Sequence, residues 1–306
     1  MPLILILLLA VFQCSITNYL IMNPDYYQLG PYTWESGEFR SMKLGTMLAE
    51  KKAIDYDMLT TLMIEHDYDL TGVEDSSYSN TLLMAARPAD YRKLRQAYET
   101  VMGDLKYFPV PLSSDKGTPD VVYENGWLEG RSYRTDGESQ GQRHHEGCDI
   151  MGSKMPRGYY PVVSMSDGIV ERIGWLEMGG WRIGIRSFDK KRYYYYAHLR
   201  KGHPFHPTVQ EGAVVQAGDV IGYLGMTGYS TKEDVNGMTK PHLHFGMQLI
   251  FDESQKEGNN EIWIDVYQIV KLLQKHTSPV VRNEETKDYT RKYRFTDPIV
   301  PQNGST

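Results

Sequence analysis

Apolar and polar positions along this 306-residue chain change rhythm twice. From Leu3 to Phe12 the chain is continuously apolar, and its first 24 residues carry no charged side chain. Such a run fits the core of an export signal, and with the following QCSITNYLIM it approaches the length of a membrane anchor. The plainer alternative is a core helix at the terminus. From residue 25 to about 110 the apolar period is helical. In PADYRKLRQAYETVMGDL, Pro88 occupies a first helical position and Tyr91, Leu94, Tyr98, Val101 and Leu105 recur on one face. Asp57 is placed to cap a shorter helix through MLTTLMIEHDYDL, and FRSMKLGTMLAEKKA is a third helical candidate. These Met and Tyr positions read as packing, with no chemistry attached.

Beyond FPVPLSSDKGTPD, a Pro-, Ser- and Gly-rich linker from Phe108 to Asp120, the rhythm shortens. The β-prone runs GIVERIGWL, WRIGIRSF and RYYYYAHL are separated by the turn signals EMGG and FDKK, as in an antiparallel meander. Gly212, Gly218, Gly222, Gly225 and Gly228 then mark bulges and turns rather than a phosphate loop. IDVYQIVKLLQK returns to helical spacing, and residues 277–306, polar and mixed in charge, read as a C-terminal tail. The expected class is α+β: a 1–24 signal peptide or anchor, a 25–110 helical module, a 111–276 mainly antiparallel β domain with a groove, and the tail.

Composition narrows the function classes. A formal charge of −6 without a long Lys/Arg block argues against nucleic acid as the partner. Two cysteines, Cys14 and Cys148, provide no disulfide framework. A lipid on Cys14 is disfavoured because Gln13 stands where a small residue is expected.

The candidate chemistry lies with the histidines. In PHLHFG, side-chain alternation sends His242 and His244 to one face and Leu243 and Phe245 to the other. Such a pair could hold a metal with one ring and accept a proton with the other, or be two satisfied strand histidines. HHEGCDI sets Asp149 four residues after His145, with Gly147 between them allowing a sharp turn. His198 closes the aromatic run YYYYAHL. Two imidazoles and one carboxylate, with a position left for water, form the ligand set of a catalytic rather than a structural zinc site.

The order His-x-Gly-x-Asp, Tyr-Ala-His-Leu, the glycine run VIGYLGMTGYS and Pro-His-Leu-His-Phe resembles the lysostaphin-type zinc metallopeptidases of bacterial cell walls. The likeness covers about residues 140–250. It implies Zn2+ held by His145, Asp149 and His244, with His198 and His242 as catalytic histidines. It also implies hydrolysis of amide bonds in the peptide part of peptidoglycan, outside the cytoplasm, by a secreted or membrane-anchored protein. Cys148 stands where the family has an aliphatic residue, and by alternation it faces the core. His144 reads as a groove-edge residue, and STKEDVNGMTK lengthens the loop before His242. His66, His203, His206 and His276 read as surface or structural. The alternative function is a non-catalytic envelope scaffold or peptidoglycan-binding module that regulates another hydrolase.

Overall fold

The computed structural model describes residues 2–22, 29–48, 53–74, 78–79, 81–113, 121–133, 141–151, 160–256 and 260–293. The chain divides into two compact units, Met1–Glu99 and Thr100–Thr306. In the first, helix α1 (Pro2–Met22) has no buried residue and is long and apolar enough to cross a membrane. Helix α2 (Tyr56–Glu65) buries Leu59, Leu62 and Met63, and helix α3 (Pro88–Met102) starts at Pro88 as its spacing predicts. The cap of α2 is Asp55, two residues before the expected Asp57. Its Oδ1 accepts from the amides of Asp57 and Met58, while Asp57 itself pairs with Arg95 at 3.1 Å. Tyr98 packs on Phe39 with ring centroids 5.0 Å apart, and Tyr91 shares a 2.8 Å hydrogen bond with Thr61.

The third helical candidate is corrected. Among the described residues of FRSMKLGTMLAEKKA, only Phe39 and Arg40 are helical, in a four-residue helix from Gly37 to Arg40, and residues 49–52 lie outside the described residues. Gly45 adopts φ 60°, and a Cβ there would lie 2.1 Å from the Leu70 carbonyl oxygen, so the chain must pass as a non-helical segment against residues 69–71.

The second unit is β-rich. Its strands begin with β1 (Phe108–Ser113), β2 (Val122–Glu124), the hairpin β3 (Gly130–Tyr133) and β4 (Gly141–His144), and β5 (Cys148–Met151). After β6 (Pro161–Val163) come β7 (Gly168–Leu176), β8 (Gly180–Arg186) and β9 (Arg192–Ala197), which match the three β-prone runs to within two residues. The chain continues through β10 (Val214–Val215), β11 (Val220–Tyr223), β12 (His242–Leu249) and β13 (Ile262–Ile264), then helix α4 (Tyr267–Leu273), β14 (Thr277–Arg282) and β15 (Tyr289–Arg291). The eight-stranded sheet has the order β10-β7-β8-β9-β12-β5-β2, with β13 also pairing with β12, and every pairing in it is antiparallel. One face forms the core through Ile183, Ile185, Tyr194, Tyr196, Leu243, Phe245 and Met247, all inaccessible to solvent.

Two expected loops are strands. Residues 108–113 of the linker form β1, and residues 277–282 of the tail form β14, which pairs in parallel with β1 and antiparallel with β15. Val280 and Tyr289 are buried with Val163, Val220 and Tyr223, so this stretch is anchored by a few apolar contacts that its polar composition hides. Linker residues 114–120 and tail residues 294–306 lie outside the described residues.

Candidate metal centre and groove

The site grows from the register of β12. His244 pairs with Asp149 on one side and with Ala197 on the other, so the carboxylate and the imidazole share a face. His145 precedes β5, and Gly147 brings the chain back towards the same point. Gly147 adopts φ 152°, and a Cβ there would meet the Phe245 carbonyl oxygen at 2.6 Å and the His244 ring at 2.8 Å. Only glycine fits.

Three donor atoms converge. His145 Nε2 lies 3.1 Å from Asp149 Oδ1 and 3.0 Å from His244 Nδ1, and His244 Nδ1 lies 2.9 Å from Asp149 Oδ1. All three residues are buried. His145 Nδ1–H donates to the Gly126 carbonyl at 3.0 Å, which leaves a lone pair on Nε2. That lone pair faces His244 Nδ1 and a carboxylate oxygen, so a proton or a cation has to sit among the three atoms. A tetrahedral ion with bonds of about 2.0–2.1 Å separates its ligand atoms by about 3.3 Å, so these donors fit a metal ion closely. Arg131 Nη1 donates to the remaining carboxylate oxygen, Asp149 Oδ2, at 2.9 Å and fixes its orientation. Burial alone would raise the Asp149 carboxyl, but its contacts with His145 and His244 hold it well below the usual range. Burial also lowers His244 to about 4, against the pull of Asp149.

Beside these donors stand two further imidazoles. His242 Nδ1–H donates to the Lys240 carbonyl at 2.9 Å; its Nε2 is 3.9 Å from Asp149 Oδ1, buried, and has no hydrogen-bond partner among the described residues. His198 Nδ1–H donates to the Thr227 carbonyl at 2.8 Å, and its ring lies 4.8 Å from that of His242. Burial keeps His198 well below its ordinary pKa, so it is neutral. Its backbone is held at φ 59°, a costly conformation for a residue with a side chain.

The structure thus brings all five sequence-selected residues, His145, Asp149, His198, His242 and His244, to one place. Cys148 is buried, faces away from the cluster, and has its thiol pushed up by burial, so it offers no thiolate. Sequence reasoning missed Arg131, the Gly126 carbonyl and Tyr229, whose ring stacks on His198 at 6.3 Å. The Tyr229 signal was present in MTGYS, where a bulky ring follows the last glycine of the run.

A model of peptidase family M23 matches residues 143–258, the segment that carries all of these histidines. An L-Ala–D-Glu endopeptidase of Bacillus subtilis is 35% identical over 161 residues, which span 52% of this chain and 43% of that protein. Lysostaphin of Staphylococcus simulans is 38% identical over 86 residues, 28% of this chain and 15% of the relative. The chain therefore spans less than half the length of these curated relatives. A crystal structure of a candidate glycyl-glycine endopeptidase, lytM, from Ruminococcus gnavus superposes with a TM-score of 0.67 at 31% identity, over 84% of this chain and 98% of that one. The chain belongs to peptidase family M23.

In this M23 protein a groove of about 400 Å³ runs from His244 over the sheet face opposite the core. Tyr193 and Tyr195 line it, while Tyr194 and Tyr196 point into the core, as alternation along RYYYY requires. Gly184 allows this floor: a Cβ there would overlap the Tyr193 hydroxyl at 1.8 Å. A second cavity of about 270 Å³ shares Arg143, Leu176, Tyr195 and His244 and reaches His198.

Proposed function

We propose that the chain is a zinc-dependent endopeptidase that hydrolyses amide bonds in the peptide part of bacterial peptidoglycan, acting outside the cytoplasm. One observation carries the reading: His145, Asp149 and His244 converge on a point, and beside it lies the buried Nε2 of His242, which has no hydrogen-bond partner among the described residues. Two imidazoles and one carboxylate are a catalytic zinc set, with room for water. When bound, zinc supplies a water of lowered pKa and polarises the scissile carbonyl.

The chain's own residues do the rest. His145 and His244 offer ring nitrogens, and Asp149, aligned by Arg131, offers an ionised oxygen. His242, with Nδ1–H committed to Lys240, presents its Nε2 lone pair as the base that takes a proton from the attacking water and returns it to the leaving amine nitrogen. Neutral His198 also presents only a lone pair at Nε2, so it accepts a second hydrogen from the water and aims its oxygen. The open groove suits an extended peptide. Relatives named for L-Ala–D-Glu and glycyl-glycine bonds support cleavage beside small residues. The apolar helix Pro2–Met22 supports an envelope location, as an export signal or an anchor.

The test is digestion of purified peptidoglycan by the full chain with and without a chelator, followed by mass spectrometry of the released fragments. Chelator-sensitive fragments with new peptide termini are expected. No fragments from a folded, zinc-loaded chain, across several peptidoglycan chemistries, would turn the reading to a scaffold or binding module.

A further inference from the structure

More cations than carboxylates line the groove. Four cations and two carboxylates, Glu146 and Glu261, line it; of the cations, Lys256 pairs with Glu171, and Arg172 lies 3.8 Å from Glu211. Arg143 and Arg182 have no carboxylate partner among the described residues. Arg143 Nη2 donates to the Tyr229 hydroxyl at 3.1 Å, while Arg143 Nε and Arg182 Nη1 are buried without a hydrogen-bond partner. A half-buried guanidinium with unmet donors is costly and calls for an anion.

The β3–β4 hairpin makes the same point independently. Arg131 and Arg143 are direct cross-strand partners, a like-charge pair that destabilises a hairpin unless each charge is compensated. Arg131 is compensated by Asp149. Arg143 faces the groove, which touches both it and Arg182.

We infer that Arg143 and Arg182 form a carboxylate-binding subsite, so that the preferred peptide carries a free carboxylate close to the bond that is cut. This rests on the peptidase reading and adds the substrate's charge to it. The register gives the spacing. Ile183, Tyr196 and Phe245 are aligned across β8, β9 and β12, which sets Arg182, Ala197 and His244 in line on the groove face. Arg182 is therefore two inter-strand steps, about 10 Å, from His244, which corresponds to about three residues of extended peptide before the reach of the side chain is counted. A planar guanidinium donates two parallel hydrogen bonds to a carboxylate, which a carboxamide cannot reproduce.

The test compares peptidoglycan with the same material after its carboxylates are converted to carboxamides, using the zinc-loaded full chain and measuring initial fragment release. Wild type is expected to favour the untreated material by about ten- to a hundredfold, the value of a charged hydrogen-bonded contact, and the preference should shrink as salt rises. Arg182→Gln should bring the ratio towards one, and Arg182→Lys should retain part of it. A wild-type ratio near one, or an unchanged ratio in Arg182→Gln, overturns the subsite. Should Arg182→Gln fail to fold, the wild-type ratio and its salt dependence decide. Co-sedimentation of the chain with both materials separates this inference from the peptidase reading: preferential binding to untreated material without cleavage rejects the peptidase and keeps the subsite, and equal binding without cleavage rejects both.

Discussion

On one side of β12, Leu243, Phe245, Met247 and Leu249 are sealed against other apolar side chains; on the other, His242, His244 and Gln248 are almost as inaccessible and all polar. Adjacent residues of one strand therefore meet burial in opposite ways. The apolar face gains from every contact it makes. The polar face has to place each donor and acceptor, and at His242 Nε2 it leaves one without a partner among the described residues. An orphaned buried nitrogen beside two imidazole lone pairs and a carboxylate is poor design for a core and good design for a site.

Substitution on the two faces should separate these roles. Phe245→Ala is expected to lower the unfolding free energy by about 3–5 kcal/mol, as large cavities do, measured by denaturant titration. His244→Ala, one residue away, should abolish stoichiometric metal binding and turnover, while the metal-free protein loses less stability than with Phe245→Ala. Equal losses in stability would make the histidine face a second packing face. Arg131→Gln, which removes the contact to the outer oxygen of Asp149, should weaken metal affinity by about 10–100-fold in competition titrations. An unchanged affinity would mean that the carboxylate needs no external alignment.

The smallest effect concerns protons. Burial holds His244 at about 4 in the metal-free chain, against about 6.5 when unfolded. Between these values the unfolded state binds more protons, so stability is full above about pH 6.5 and declines as pH falls towards about 4. His198, also lowered by burial, acts with the same sign. Asp149, held low in the fold, adds a further loss only below its unfolded value of about 3.9. Denaturant midpoints taken in chelator at pH 7 and pH 5 check this; a higher midpoint at pH 5 contradicts it.

What the sequence made legible follows the strength of local signals. GIVERIGWL has turn residues at its end and matches β7 residue for residue. Period-two alternation gave the faces of RYYYYAHL and PHLHFG without any tertiary information. The failures share one cause, contacts distant in sequence. FRSMKLGTMLAEKKA has a helical apolar spacing, but Gly45 packs against the Leu70 backbone. TSPVVR looks like a tail until β1, more than 160 residues earlier, pairs with it. Arg131 reaches Asp149 through a hairpin that no local pattern announces.

The most direct test of the division of labour on β12 is zinc content and turnover measured together on His242→Ala. Wild type and variant should each be found to hold one zinc per chain, and the variant should cleave peptidoglycan about 10²–10⁴ times more slowly, the range for removal of a general base. Loss of the metal in that variant, or turnover equal to wild type, would contradict the assignment of metal to His244 and proton transfer to His242.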